Sequence, residues 1–203
     1  AGTNVTITTD ANADSITIAL TDSNNFRKDV LPSYKDNRKA KRKPLILGAI
    51  RKWLMDEYDA IYYPNLEADD VLGILATQPQ KKEERIICSL DKDLRQIPGK
   101  LSQDGRTIVK RSKTECDWWH LIQTLTGDSV DGFSGCPTIG KVTAQKILKD
   151  KKLPIREQWQ LVVKAYEKQG LFEHDALQQA RVARILRHGD YNKKTGEVKQ
   201  WQI

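Results

Sequence analysis

Eight carboxylates draw attention by their grouping: Asp22; Glu67, Asp69 and Asp70 in EADD; Asp91 and Asp93 in SLDKD; and Asp128 and Asp131 in GDSVDG. Asp22 and Asp91 each follow an apolar, β-rich run, ITIAL and IICSL. In an open parallel sheet ligands gather beyond the carboxyl ends of the strands, so two strands would deliver acids to one edge. Taken singly, each group has an ordinary explanation. Aspartate favours the turn after a strand, acids in a first helical turn complement the helix dipole, and GDSVDG could be a plain turn. In one cleft, however, eight acids could not all stay ionised without counter-charge, because like charges raise one another's pKa. Divalent cations supply that charge. Hard oxygen ligands select Mg²⁺ or Mn²⁺, and two such ions can clamp the attacking and leaving oxygens of a phosphodiester.

Two further stretches suit a phosphate ligand. GCPTIGK (Gly135 to Lys141) places two glycines around a proline ahead of the helical run KVTAQKIL. Glycine permits close backbone approach, and a helix start offers free N–H groups to an anion. Gly135, Ile139, Gly140, Lys141 and Lys146 are therefore expected to hold DNA backbone, with K⁺ as a candidate companion at the loop; a plain helical corner is the alternative. The second stretch is the basic run FRKDVLPSYKDNRKAKRKP. Between Arg27 and Lys52 ten lysines and arginines face two aspartates, so this segment carries the whole of the chain's +7. Arg27, Lys35, Arg38, Lys39, Lys41, Arg42 and Lys43 are the candidate DNA contacts. Phe26 and Tyr34 could stack on bases of a single strand, and Lys35 and Arg38 are spaced to reach one phosphate. A solvated charged face is the competing reading.

These residues need a scaffold, and 203 residues at 38% hydrophobic content suffice for one sizeable core. The basic balance favours a polyanionic partner. Cys88, Cys116 and Cys136 lack metal or disulfide spacing and read as reduced thiols, while His120, His174 and His188 lack the mutual spacing of a metal site. The tryptophans Trp53, Trp118, Trp119, Trp159 and Trp201 read as structural. No signal peptide or membrane-length apolar run is present in the sequence, so a cytoplasmic protein is expected (the host cytoplasm if phage-encoded), with no membrane partner.

Short β-rich runs at 15–20, 60–63, 85–90 and 107–111 alternate with helical patterns at 44–58 and 68–77. That alternation predicts an α/β domain with a mainly parallel central sheet flanked by helices. After Leu153 the pattern is helical through 155–172 and again through 175–189.

In order, TDSNNFRKDVLPSYKDNRK, EADDVLG, SLDKDLRQIPG, DWWHLIQTLTGDSVDGFSG and TIGKVTAQKIL resemble the phage 5′→3′ exonucleases of the flap-endonuclease family, most nearly the podophage branch. The resemblance implies a PIN-like 5′ nuclease fold, an arch over the active site and a helix–three-turn–helix DNA clamp. The expected layout is a metal-binding nuclease core over 1–125, with the basic arch at 27–52, and a clamp with a helical lobe over 126–203. It implies two divalent cations held by Asp22, Glu67, Asp69, Asp70, Asp91, Asp93, Asp128 and Asp131. Lys35, Arg38, Asp70 and Asp91 are implied to act in catalysis. The implied substrate is DNA with 5′ ends, nicks or flaps, cut by a monomer. Two departures stand out. GCPTIGK differs from the family's commonest loop, GVxGIGxK. Only AGTNVTITTDANAD precedes SITIALTD, so the family's first strand and its aspartate are expected to be missing, and Asp10 is too near the next strand for a parallel crossover to replace it. A catalytically impaired variant acting as a DNA-binding module is the alternative this raises.

Overall fold

The computed structural model describes residues 15–40, 42–79 and 84–203. The expectations placed on Asp10, on the run VTITTD and on Lys41 fall outside these residues.

Ile18 to Leu20 run beside Ile61 in a parallel bridge, with Leu20 N–H on the Ile61 carbonyl at 2.8 Å and Ile61 N–H on that of Ile18 at 2.9 Å. Between them lie helix α1 (Arg27–Val30), a 3-10 turn (Asp36–Arg38) and helix α2 (Leu47–Tyr58). Helix α3 (Ala68–Ala76) leads to strand β1 (Ile86–Cys88), a second 3-10 turn (Lys92–Gln96), and strands β2 (Gly99–Ser102) and β3 (Ile108–Arg111). Strand β1 pairs parallel with β2, which pairs antiparallel with β3. Parallel pairing thus holds at the strands that precede the acids, and the β2–β3 hairpin departs from it. Strand β2 is not foreseeable from its residues, because GKLS has one large apolar residue and no alternation.

Four helices form the second half: α4 (Lys113–Thr126), α5 (Lys141–Ile147), α6 (Ile155–Glu167) and α7 (Glu173–Ala183). Ser112 starts α4 with a reciprocal cap, its hydroxyl accepting from Glu115 N–H while Glu115 accepts from Ser112 N–H at 2.8 Å. Trp118, Leu121, Leu125, Trp159, Val162, Tyr166 and Ala180 from this half close one apolar core. Among the described residues no helix is long and apolar enough to cross a membrane.

The predicted helix over 175–189 stops at Ala183, and the chain then turns extended from Arg184. Extended chain throws successive side chains to opposite sides. Ile185 joins Ile87, Leu94, Ile97 and Leu101, whereas Leu186 joins Phe26, Leu66, Val71 and Ile74. Buried polar side chains satisfy the backbone that leaves the helix. Arg27 donates to the carbonyls of Val182 and Arg184, Gln96 donates to that of Ala183, and Asp70 accepts from Leu186 N–H. Gly73 allows this close docking: a Cβ there would lie 2.2 Å from the Leu186 carbonyl oxygen. The C-terminal segment is therefore built into the core that carries the N-terminal acids.

Candidate active site

Three elements bring seven of the eight acids into one electrostatic neighbourhood. The N-terminus of α3 carries Glu67, Asp69 and Asp70; the turn after β1 carries Asp91 and Asp93; and the loop after α4 carries Asp128 and Asp131. That last loop is pinned closed by Asp128 and Phe133, whose backbones exchange hydrogen bonds of 2.9 and 3.2 Å. Asp22 sits at the end of its strand, as expected. Its N–H donates to the Leu66 carbonyl at 2.9 Å, and its carboxylate accepts from Asn65 N–H at 2.9 Å. Burial pushes Asp22 up, but the backbone donors around it hold it below the usual range.

The base of the basic arch lies directly on these acids. Lys35 N–H donates to the Asp131 carbonyl at 2.9 Å, and Asn37 and Arg38 donate to carbonyls of the same loop. The Lys35 ammonium bonds Glu67 and stands 3.5 Å from Asp131, while Arg38 pairs with Asp131. Tyr34 is buried, its hydroxyl 3.0 Å from Glu67 and 3.1 Å from Asp131, with one proton for the two. Burial alone would raise the Glu67 pKa, but Arg27, Lys35 and Tyr34 hold it below its usual value.

The remaining acids are in the opposite condition. Burial and then the charges of Asp91, Glu67 and Asp70 push Asp69 up to about 8. Burial and then Asp91 raise Asp93 to about 6, although Gln123 donates to it at 2.7 Å. Lys35 and Lys92 offset only part of these shifts, so the acids here carry more negative charge than the nearby cations balance. An excess of carboxylate oxygens is the donor chemistry a hard divalent cation requires, and Asp69 and Asp93 provide it around the charge of Asp91. Among the described residues no group of three Asp, Glu, His or Cys side chains is arranged as a ready metal cage. The set suits an ion held by one or two carboxylates and otherwise by water and phosphate, as Mg²⁺ commonly is.

Several expectations are corrected. Asp70 is fully buried; both its oxygens meet Arg27, at 2.7 and 2.8 Å, and it also accepts from the N–H groups of Glu67 and Leu186. It is a structural anchor, with no oxygen turned to an ion or substrate. Arg27 is buried with it and cannot touch DNA. Phe26 and Tyr34 are buried too, so neither can stack on a base. In the clamp loop Ile139 turns into the core, and Gly135 N–H is taken by Gln179 at 2.9 Å. Trp53, expected to be structural, is half exposed and edges onto Tyr58, with centroids 4.9 Å apart.

Arg42, Lys43, Lys141 and Lys146 are exposed and remain open to a polyanion, while exposed Lys39 pairs with Asp36 at 2.7 Å. Gly140 precedes α5, whose first turn has no side-chain cap. Thr138 stands where the family's commonest loop has glycine, and it adopts φ 63°, a conformation that strains a β-branched residue. Sequence reasoning missed Lys92, which pairs with Asp128 at 3.1 Å, and Gln123. Lys92 was visible between Asp91 and Asp93; Gln123 carried no signal, since one glutamine on a helix announces nothing about the carboxylate opposite.

With strand-end acids, a basic arch and a turn-rich loop between α4 and α5 in place, comparison with known proteins is decisive. The chain belongs to the 5′-3′ exonuclease family: residues 3–120 match its N-terminal resolvase-like domain. It is 34% identical to the exodeoxyribonuclease of Enterobacteria phage T3 over 92% of this chain and 72% of that protein. It is equally similar, at 34%, to the exonuclease of Escherichia phage T7, over 92% of this chain and 73% of the relative. A crystal structure of the bacteriophage T5 D15 flap endonuclease with DNA and metal ions superposes with a TM-score of 0.60 at 14% identity, covering 85% of this chain and 75% of that one. The fold is the PIN-like 5′ nuclease fold.

Proposed function

We propose that the chain is a divalent-metal-dependent 5′→3′ exonuclease and flap endonuclease acting on DNA with 5′ ends, nicks or flaps. One observation carries the reading: Lys35 and Arg38 are seated on Glu67 and Asp131 beside Asp69 and Asp93, whose nearby cations do not offset the charge of the acids around them. Family membership and the DNA-bound T5 relative support it.

Asp69, Asp91 and Asp93 would hold the cations, with Glu67, Asp128, Asp131 and Asp22 around them. A bound divalent ion supplies Lewis acidity toward the phosphate and lowers the pKa of its water. The chain's own residues set the geometry. Lys35 and Arg38, resting on carboxylates, exchange those partners for the oxygens of the scissile phosphate and stabilise the charge that grows there. Tyr34 ties Glu67 to Asp131 and fixes the arch base over the acids. Gly140, Lys141 and Lys146 at the uncapped start of α5 hold backbone phosphates away from the cut.

The test is cleavage of a 5′-labelled flap and a nicked duplex in Mg²⁺, Mn²⁺ or EDTA, with the double variant Asp91→Ala, Asp93→Ala alongside. Metal-dependent release of short 5′ products, lost in the variant, is the expected result. The second reading is a DNA-binding module, favoured by the exposed cations Arg42, Lys43, Lys141 and Lys146, which can hold DNA whether or not the acids cut it. It predicts salt-sensitive binding of the same DNA with no cutting under any metal.

A further inference from the structure

After Gly189, beyond the residues 3–120 that match the family's N-terminal domain, the chain closes a small hairpin. Tyr191 and Val198 form an antiparallel bridge, and Asn192 N–H meets the Glu197 carbonyl at 2.9 Å. The hairpin borders an open cleft of about 710 Å³ whose walls include Tyr191, Asn192, Lys193, Lys194 and Lys199. Its acid, Glu197, accepts from the Thr195 hydroxyl at 3.0 Å. Among the described residues none of the three lysines pairs with a carboxylate. Lys193 rests 4.6 Å above the Tyr63 ring, and the Asn192 side-chain oxygen is turned to the backbone of Lys194 at 3.0 Å.

An open cleft with three unopposed ammonium groups does not suit a small apolar ligand, which prefers an enclosed and largely hydrophobic pocket. It suits an extended chain of phosphates, where each neutralised charge releases a counterion. Its anchoring points the same way. Tyr191 stacks on Tyr63 with centroids 5.7 Å apart, and its hydroxyl donates to the Pro64 carbonyl at 3.2 Å. The next residue, Asn65, holds the Asp22 carboxylate through its N–H, and Glu67 follows two positions later. The hairpin is thus bolted to the segment that carries the acids.

We infer that Lys193, Lys194 and Lys199 form a further grip on the DNA sugar–phosphate backbone, separate from the arch and the α5 loop. The inference rests on the nuclease reading. It is tested by binding of an intact 5′-flap DNA in EDTA, titrated over a range of salt concentrations. The triple variant Lys193→Gln, Lys194→Gln, Lys199→Gln should flatten the slope of log Kd on log salt by about 2 to 3, at roughly 0.9 for each phosphate no longer neutralised. The matching Lys→Arg triple should keep the wild-type slope, which separates lost charge from lost fold. A control pair at the C-terminal end of α6, Lys164→Gln in its last turn with Lys168→Gln just beyond it, should leave the slope near that of the wild type. An unchanged slope in the Gln triple overturns the hairpin grip. A wild-type chain that does not bind flap DNA at all overturns the nuclease reading beneath it.

Discussion

Beneath the arch, Asp70 and Asp131 each meet a guanidinium, and Glu67 meets the Lys35 ammonium. A few residues away, Asp69 and Asp93 face other carboxylates and are driven toward their neutral forms. Asp69 and Asp70 are adjacent in EADD, yet one projects into the field of Asp91 and the other into a buried cage of donors. The same residue type serves stability where the fold supplies its partner. Where the fold withholds one, it leaves an excess of negative charge that a cation can balance. The buried Arg27–Asp70 pair lies wholly on the first side of this division, and the excess charge wholly on the second.

The largest effect is expected on the paired side. Arg27→Met would leave Asp70 buried without its counter-charge and should cost roughly 3–5 kcal/mol in urea unfolding. Asp69→Asn in metal-free buffer should instead raise stability at pH 7, since it removes a carboxyl that burial and neighbouring acids hold at about 8 in the folded chain. Equal losses in the two variants would erase the distinction. Next, Lys35→Ala should slow cleavage by roughly 10²–10³-fold, the usual loss when one charge-stabilising donor is removed. Near-normal turnover would restrict Lys35 to bracing the arch.

A third prediction concerns a buried imidazole held in its neutral form. Burial, and then Arg184, push His120 down to about 3. Its Nε2 lies 2.8 Å from the Ala180 carbonyl oxygen. The unfolded chain takes up that proton near pH 6.5 and the folded chain does not. Stability from this residue is therefore lost as pH falls from about 6.5 toward 3. His120→Gln should remove on the order of 2 kcal/mol of the wild-type decline between pH 7 and 5, and parallel stability–pH curves would count against the neutral imidazole. The smallest effect is conformational. Thr138→Gly should stabilise by roughly 0.5–1 kcal/mol by releasing a left-handed strain, read as a raised Tm; a lowered Tm would show that the threonine packs better than its backbone suggests.

Much was legible in the chain. Strand runs bounded by turn residues, the helical spacing of 68–77 and the four acid groups are local patterns, and local patterns follow from side-chain period and turn chemistry. They sufficed to place Asp22 and Asp91 at strand ends and Glu67 before a helix. The tertiary structure decided which of those acids are open. Asp70 is anchored because Arg27, 43 positions earlier, and Leu186, 116 positions later, close on it. The end of α7 at Ala183 was equally invisible, since the pattern QQARVARILRH continues a helix well. Buried side chains from Arg27, Asp70 and Gln96 offer the backbone better partners than another helical turn would. Sequence by itself determines which groups can ionise, cap and alternate. Which of them meet a partner depends on contacts between distant segments, and for buried charges that pairing is the larger energy.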